Sequence, residues 1–212
     1  MKKVLQEIKR LQDSDVKTLI DRRMQEFYSF QKASDRSLFS ELCFCLLTAN
    51  WQAEGAIRIQ KAMKDKFPTL RKEQLALELR KHGYRFPNVR AAFIEEAQQY
   101  KDNMQSMISQ FKDQPDSSVA LREWIVKNVK GLGFKEASHF LRNIGFDDLA
   151  IIDFHIIDLL EKDNIIERPK TVTPKKYLEI ESVLKTIAKR TGLSLAELDL
   201  YLWYIETGKI LK

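Results

Sequence analysis

The apolar residues of this chain recur with the period of α-helices. From Val16 to Phe27 they are spaced three and four residues apart, which places them, Leu19 included, on one face of a helix. Residues 38–47 are apolar on nearly every side, which predicts a helix deep in the core. No long alternating strand pattern is present in the sequence, so we predict an all-α fold.

Capping residues and helix breakers set the limits of the other predicted helices. Ser34 and Asp35 suit the N-cap of the buried helix, and Ser117 or Ser118 suits that of a later one. The same signals predict helices over residues 52–66, 72–81, 88–100, 117–129, 134–143 and 153–160, one after Thr173-Pro174, and a last one from the Ser194/Glu197 capping box to Gly208.

Composition agrees with a helical protein that has a large core. The chain has 212 residues, 44% of them hydrophobic, which is enough for one large domain or two small lobes. Only 7 Gly and 5 Pro are present, fewer turn residues than most β folds need. The longest uninterrupted apolar run, residues 42–47, is far too short to cross a membrane. The start of the chain continues directly into charged helical sequence, so we expect no signal peptide and a cytoplasmic protein.

Charge and cysteine usage narrow the function classes. Lys and Arg outnumber Asp and Glu by 36 to 30, an excess that fits a phosphate-binding face without requiring one. The two cysteines, Cys43 and Cys45, are predicted to be buried thiols in a reducing compartment. Two cysteines cannot supply the four thiolates of an iron–sulfur cluster, and we expect no cofactor.

A glycine-rich turn separates two of the predicted helices. Gly131 and Gly133 flank Leu132, so the backbone can turn tightly while the leucine anchors the turn in the core. The free amides at the start of the following helix then make a site for one phosphate, with Lys127 and Lys130 adding charge nearby. This is how a helix-hairpin-helix motif holds the DNA backbone. A plain helical hairpin with a glycine C-cap would carry the same glycines.

Two ionisable residues follow the turn at positions suited to chemistry. Lys135 lies in the first turn of the second helix, where the helix dipole disfavours its charged form and favours a nucleophilic amine. Asp153 comes 18 positions later as a predicted N-cap, and its carboxylate could stabilise a cationic sugar or take up a proton. His155 could contact a phosphate from the same turn. A surface lysine, an ordinary capping aspartate and a capping or core histidine are the plain alternatives.

The combination of these residues carries a family resemblance. Gly-Leu-Gly-Phe-Lys at 131–135, followed by Ile-Asp-Phe-His at 152–155, resembles the helix-hairpin-helix DNA glycosylase superfamily. The connecting loop, residues 145–152, has one Gly and no Pro and departs from the Gly/Pro-rich loop of that superfamily. A lysine at 135 is typical of the bifunctional branch, whose members also cleave the strand.

Within that branch the chain is similar to the archaeal-type 8-oxoguanine DNA glycosylases, which are compact and lack an iron–sulfur cluster. The similarity covers nearly the whole chain, including the Arg85-Phe86 segment and residues 199–212. It implies double-stranded DNA containing 8-oxoguanine as the partner, a monomer, Lys135 as nucleophile and Asp153 as catalytic carboxylate.

The resemblance also implies roles for residues outside the motif. Phe86 and Trp203 would stack on the flipped base, and Asp199 and Lys212 would meet its polar edge. Asn50 would fill the gap left in the duplex. Core packing of the two aromatic residues, and a helix-end position for Asn50, are the alternatives. Arginines at 58, 85 and 90 are further candidates for phosphate contacts, although surface arginines are common.

The implied fold has two all-helical lobes with the DNA- and base-binding cleft between them. Residues 34–152 would form the central lobe with the helix-hairpin-helix motif, and residues 1–33 and 153–212 would form the second lobe.

Three other functions stay open at this point. They are a monofunctional glycosylase for another damaged base, a non-catalytic helix-hairpin-helix DNA-binding module, and an endonuclease III-like enzyme for oxidised pyrimidines, against which the missing cluster cysteines argue.

Overall fold

A computed structural model describes residues 1–112, 114 and 116–212, and every regular element in these ranges is helical. The predicted all-α fold is therefore confirmed. The α-helices are α1 (Lys2–Gln12), α2 (Asp15–Ser29), α3 (Asp35–Thr48), α4 (Ala53–Met63), α5 (Lys72–Lys81), α6 (Pro87–Ala97), α7 (Met104–Ser109), α8 (Ser117–Asn128), α9 (Phe134–Asn143), α10 (Phe154–Lys162), α11 (Pro174–Thr191) and α12 (Leu195–Thr207). None of them combines the length and the apolar composition that crossing a bilayer would require.

The predicted helix limits agree best where a strong capping signal is present. Ser34, Thr173 and Ser194 each accept a hydrogen bond from a main-chain N–H of the first turn they precede, as expected. The predicted N-cap at Ser117 or Ser118 is wrong, because Asp116 precedes α8 in a left-handed conformation, with φ of 52° and no side-chain cap. Asp153 caps α10 as predicted.

Three predictions from periodicity are also corrected. The helix expected over residues 52–66 ends at Met63, and turns continue the chain to residue 69. The helix expected over 88–100 ends at Ala97, followed by a short 3₁₀ turn. Leu19, assigned to the apolar stripe of α2, is 53% exposed, whereas Ile20 beside it is fully buried.

The apolar residues form two clusters that follow each other along the chain. The first, between residues 38 and 149, is built around α3, whose residues 38–48 are all buried. The second combines residues 4–27 with residues 150–202, so α1 and α2 pack with α10, α11 and α12. The predicted lobe boundaries at 33/34 and 152/153 stay predictions.

The start of the chain is tied to the second cluster by polar contacts. Asp163, which follows α10, accepts a hydrogen bond from the N–H of Val4 through Oδ2 (3.0 Å) and one from the amino group of Met1 through its carbonyl oxygen (3.2 Å). These contacts fix α1 against the end of α10.

The glycine turn between α8 and α9 is a tight connection built on Gly131. Its φ is +93°, in the region that favours glycine, and a Cβ there would lie 2.3 Å from a ring carbon of Phe93. Leu132 is buried in the first cluster, as predicted, and Gly133 is the N-cap of α9. Only Gly131 therefore requires the absence of a side chain.

We expect Gly131→Ala to lower the free energy of unfolding by about 2–4 kcal/mol, because it combines an unfavourable φ with a clash against an aromatic ring. The matched control is Gly133→Ala, whose Cβ would meet only Glu136 Oε2 at 3.4 Å, and whose φ of −96° suits any residue. It should lose less than about 1 kcal/mol. Urea unfolding of both variants measures the difference, and equal losses would contradict this account of the turn.

Candidate active site

A cleft of about 760 Å³ lies between the two apolar clusters. Its wall is formed by the turn after α3, the first turns of α9 and α10, one face of α12 and the last residues of the chain. Of the predicted site residues, those that line the cleft are Asn50, Lys135, Asp153, His155, Asp199, Trp203 and Lys212. Tertiary structure thus brings together seven residues that span most of the sequence.

Lys135 enters the cleft from the first turn of α9. Gly133 caps this helix, and its N–H donates to Glu136 Oε2 at 3.3 Å, which closes the turn. The Lys135 side chain is 23% exposed, and its Nζ lies 3.9 Å from Glu136 Oε1. The amine is therefore partly removed from water, close to a carboxylate that can accept a proton, and next to the positive end of a helix dipole.

Asp153 reaches the same cleft from the N-cap of α10. Its Oδ1 accepts a hydrogen bond from the N–H of Ile156 at 3.0 Å, and the main chain at Asp153 is extended. The cap leaves one carboxylate oxygen, Oδ2, without a role in the helix. Asp153 is thus a structural cap and also a carboxylate that lines the cleft opposite α9.

The floor of the cleft contains a buried ion pair between α9 and α12. Arg142 Nη1 donates to Asp199 Oδ2, and both side chains are almost completely buried. Burial raises the pKa of Asp199 to about 6, an effect that Arg142 opposes and the negative charge of Asp153 increases. Burial likewise lowers the pKa of Arg142. The carboxylate predicted to meet the base is therefore already held by an arginine.

Lys212 is held in place by a second buried carboxylate. Its Nζ donates to Glu41 Oε1 at 2.6 Å and to the side-chain oxygen of Gln60, and it lies 4.5 Å from the centre of the Phe44 ring. Glu41 also accepts from Asn143 Nδ2 at 3.1 Å. The last residue of the chain is thereby fixed against α3 at the end of the cleft.

Aromatic side chains form the wall next to α10. The rings of His155 and Trp203 meet edge to face, with 4.8 Å between their centres. Phe154 lies on the other side of His155 at 4.0 Å and is one of the most exposed apolar residues of the described chain. Trp203 thus offers an aromatic surface to a planar group in the cleft.

Four predicted site residues lie away from the cleft wall. Phe86 precedes α6 and is exposed, with Arg85 stacked 4.9 Å from its ring centre, and of this pair only Arg85 lines the cleft. Lys130, Gly131 and Gly133 belong to the α8–α9 turn, with Lys130 Nζ 3.7 Å from Glu96 Oε2. The turn lies beside the cleft. Phe86 does not line the cleft wall, and its stacking on the base stays a prediction.

Asn50 occupies the turn between α3 and α4 in the left-handed conformation, with φ of 60°. The turn is supported from below by Arg90, whose Nη2 donates to the carbonyl of Ala49 at 2.9 Å. Arg90 is buried, so the suggestion that it contacts a phosphate is wrong. Asn50 itself is exposed at the cleft edge.

The comparisons with known proteins agree with this geometry. The family model described as 8-oxoguanine DNA glycosylase matches residues 20–193. An 8-oxoguanine DNA glycosylase/AP lyase of Korarchaeum cryptofilum is 53% identical over 210 residues, which cover 99% of this chain and 98% of that protein. The chain belongs to the 8-oxoguanine DNA glycosylase family.

Solved structures of this family share the whole fold. The Methanocaldococcus jannaschii 8-oxoguanine glycosylase/lyase, in complex with a 15mer DNA containing 8-oxoguanine, superposes with a TM-score of 0.93 at 48% identity, covering 98% of this chain and 99% of that one. The 8-oxoguanine DNA glycosylase of Thermotoga maritima gives a TM-score of 0.91 at 41% identity, covering 100% and 99%. The membership predicted from the hairpin and the Lys135–Asp153 spacing is confirmed.

Several polar residues of this glycosylase cleft were not singled out from the sequence. His139 and Arg142 line it, and Glu41 and Gln60 lie behind it, where they bind Lys212. Glu41 carried a detectable signal, because it is the only acidic residue within the apolar stretch 38–47. His139 lines the cleft, and burial, together with the charges of Arg142 and Lys135, lowers its pKa well below the usual value, so its ring is neutral.

The raised pKa of Asp199 predicts a pH-dependent stability. The unfolded carboxyl titrates near 3.8 and the folded one near 6, so between these values the folded protein keeps a proton that the unfolded chain has released. The contribution of Asp199 to stability therefore falls as the pH rises from about 4 to about 6, by up to about 3 kcal/mol.

Urea unfolding of wild type and Asp199→Asn at several pH values between 4 and 7 tests this. The unfolding free energy of wild type should fall relative to that of Asp199→Asn as the pH rises from 4 to 6. A difference that does not vary with pH would contradict the assignment.

Proposed function

We propose that the protein is a bifunctional 8-oxoguanine DNA glycosylase and AP lyase that acts on double-stranded DNA containing 8-oxoguanine. The observation that carries this proposal is the meeting of Lys135 and Asp153 in one cleft, each at the N-terminal end of a helix. The names of the relatives, at up to 53% identity over the full chain, support the substrate. We propose further that it acts in the cytoplasm, as a monomer on chromosomal DNA.

The cleft suits a nucleotide that has rotated out of the duplex. Its volume of about 760 Å³ is sufficient for a purine nucleoside, and its aromatic and charged walls match a planar base with polar edges. Trp203 would stack on the base, and Asp199 and Lys212 would border its polar edge. Asn50, at the rim, would occupy the space that the base leaves in the duplex.

Chemistry would start at the amine of Lys135. Its lone pair forms a bond to C1′ of the sugar while the bond from C1′ to the base nitrogen breaks, and the base leaves with the bonding electron pair and takes up a proton from water. Asp153 stabilises the positive charge that develops on the sugar and accepts the proton released by the amine. No metal or cofactor is needed for this step.

Strand cleavage would follow from the same covalent bond. Opening of the sugar ring leaves an imine between Nζ and C1′, which makes the protons on C2′ acidic. Loss of one of them breaks the C3′–O bond, and the 3′ phosphate leaves with its electron pair. Water then hydrolyses the imine and regenerates the lysine.

The α8–α9 turn would hold the DNA backbone beside the cleft. Lys130 is exposed there, and the turn residues Gly131 and Gly133 bring the main chain to the N-terminal end of α9, where the helix dipole favours a phosphate. His155 would contact the backbone from the first turn of α10. These contacts position the duplex without reading its sequence.

Borohydride trapping tests the proposal directly. Mixed with a duplex containing one 8-oxoguanine, wild type should give a covalent protein–DNA band that an undamaged duplex does not give, because reduction converts the imine to a stable amine. Lys135→Gln should give no band, whereas the matched control Lys185→Gln, an exposed lysine on α11, should keep it.

The remaining outcomes separate the alternatives. Base release without a band would indicate a monofunctional glycosylase. Release of oxidised pyrimidines instead of 8-oxoguanine would indicate the endonuclease III-like activity. DNA binding with no release from any damaged duplex would leave a DNA-binding module.

Asp153→Asn separates the charge of this residue from its role as a cap. Asparagine can accept the same hydrogen bond from the N–H of Ile156, so the fold should keep its stability to within about 0.5 kcal/mol. Single-turnover release of 8-oxoguanine should slow by about 100-fold or more, because the carboxylate charge is lost. Measurement of both quantities on one preparation checks this, and an unchanged rate would overturn the catalytic role.

A further inference from the structure

The main chain that leads into Asp153 is held by two side chains of α11. Tyr177 donates its hydroxyl to the carbonyl of Ala150 at 2.7 Å and accepts from the N–H of Ile152 at 3.3 Å. Glu181 Oε2 accepts from the N–H of Ala150 at 3.1 Å. Three main-chain groups in the segment just before Asp153 are therefore satisfied by side chains that are distant in sequence.

Arg122 ties these side chains to the helix before the α8–α9 turn. Its guanidinium binds both carboxylate oxygens of Glu181, at 2.6 and 3.0 Å, and the pair is excluded from water, with Arg122 0% exposed. Arg122 also lies over the rings of Phe134 and Tyr177, 5.1 and 5.7 Å from their centres. Phe134 is the residue directly before Lys135.

A hydroxyl on α9 completes the cluster. Ser138 Oγ lies 3.3 Å from Arg122 Nη1 and 3.4 Å from the hydroxyl of Tyr177, and it follows Lys135 by one helical turn. The same polar groups thus contact Phe134 and Ser138, which lie before and after Lys135 on α9. They also contact the segment just before Asp153. None of Arg122, Tyr177 and Glu181 lines the cleft, so they do not meet the substrate.

A buried ion pair of this kind is a poor source of stability. Removing two charges from water is costly, and an apolar cluster of the same volume often serves folding equally well. The ion pair and the tyrosine hydroxyl instead fix geometry, because each of their hydrogen bonds holds a main-chain or side-chain atom at a defined position. Burial also raises the pKa of Tyr177, which keeps its hydroxyl protonated and able to donate.

We propose that Arg122, Tyr177 and Glu181 are positioning residues that set the place of Asp153 relative to Lys135. The inference rests on the proposed function, since it assigns these two residues a joint chemical step. Small displacements of reacting groups lower rates strongly, by about 100-fold for an error of about 1 Å. Arg122, Tyr177 and Glu181 limit such a displacement of Asp153 although they do not line the cleft.

The test uses Tyr177→Phe and Glu181→Gln in the full chain. Tyr177→Phe removes a single oxygen and with it the bonds to Ala150 and Ile152. Single-turnover release of 8-oxoguanine should slow by about 10- to 100-fold. The dissociation constant for a duplex that is bound without being cleaved should stay within about twofold, because no DNA-contacting residue has changed.

The matched control is Gln98→Met, in the short 3₁₀ turn that follows α6. Gln98 Nε2 donates to the carbonyls of Phe67 and Leu70 at 2.7 and 2.8 Å, so this variant also loses two bonds to a main-chain segment. It should lower the melting temperature to a similar degree and leave the excision rate at the wild-type value. Rates are compared below the melting temperature of every variant.

The outcomes separate this inference from the proposed function. If wild type releases the base and Tyr177→Phe does so equally fast, the positioning role is overturned while the function stands. Equal slowing in Tyr177→Phe and Gln98→Met would also overturn it, because loss of stability alone would then explain the rate. If wild type releases no base, both proposals fail. If Glu181→Gln does not fold, Tyr177→Phe alone decides.

Discussion

Two buried ion pairs connect the two apolar clusters. Arg122 on α8 meets Glu181 on α11, and Arg142 on α9 meets Asp199 on α12. Each pair joins a helix of the first cluster to one of the second, at a depth where an unpaired charge would be strongly destabilising. The relative placement of the clusters, and with it the width of the cleft between them, is therefore limited to arrangements in which both pairs form.

This arrangement of ion pairs determines which charged groups lie in and around the cleft. Helix α9 carries Lys135, the proposed nucleophile, in its first turn and Arg142, the cation that binds Asp199, near its end. The second cluster contributes Asp153 through the N-cap of α10, so the carboxylate proposed for catalysis is also a helix cap. Lys212 lies at the far end of the cleft because Glu41, the only acidic residue within the apolar stretch 38–47, requires a cation as its partner.

The hairpin shows how a local steric requirement serves a distant function. Gly131 is required because Phe93 leaves no room for a Cβ, while Gly133 is free to carry one. The close packing of Phe93 under the turn holds the start of α9, and therefore Lys135, at a fixed distance from the surface proposed to hold the DNA backbone. The proposed DNA contact and the proposed nucleophile thus lie on one rigid element, which favours the alignment of a flipped nucleotide with Lys135.

Sequence patterns predict the helices, most of their caps, the glycine turn and the Lys135–Asp153 spacing, because each depends on residues that lie within a few turns of one another or on a motif with a fixed length. They did not show that Phe86 lies off the cleft wall, that Arg90 is buried under a main-chain turn, or that Asp116 precedes α8. The pairings of Arg142 with Asp199 and of Glu41 with Lys212 join residues 57 and 171 positions apart. The sequence does not reveal such pairings, because many charged residues along the chain compete for each partner. Burial selects among them, and burial exists only once the helices have packed.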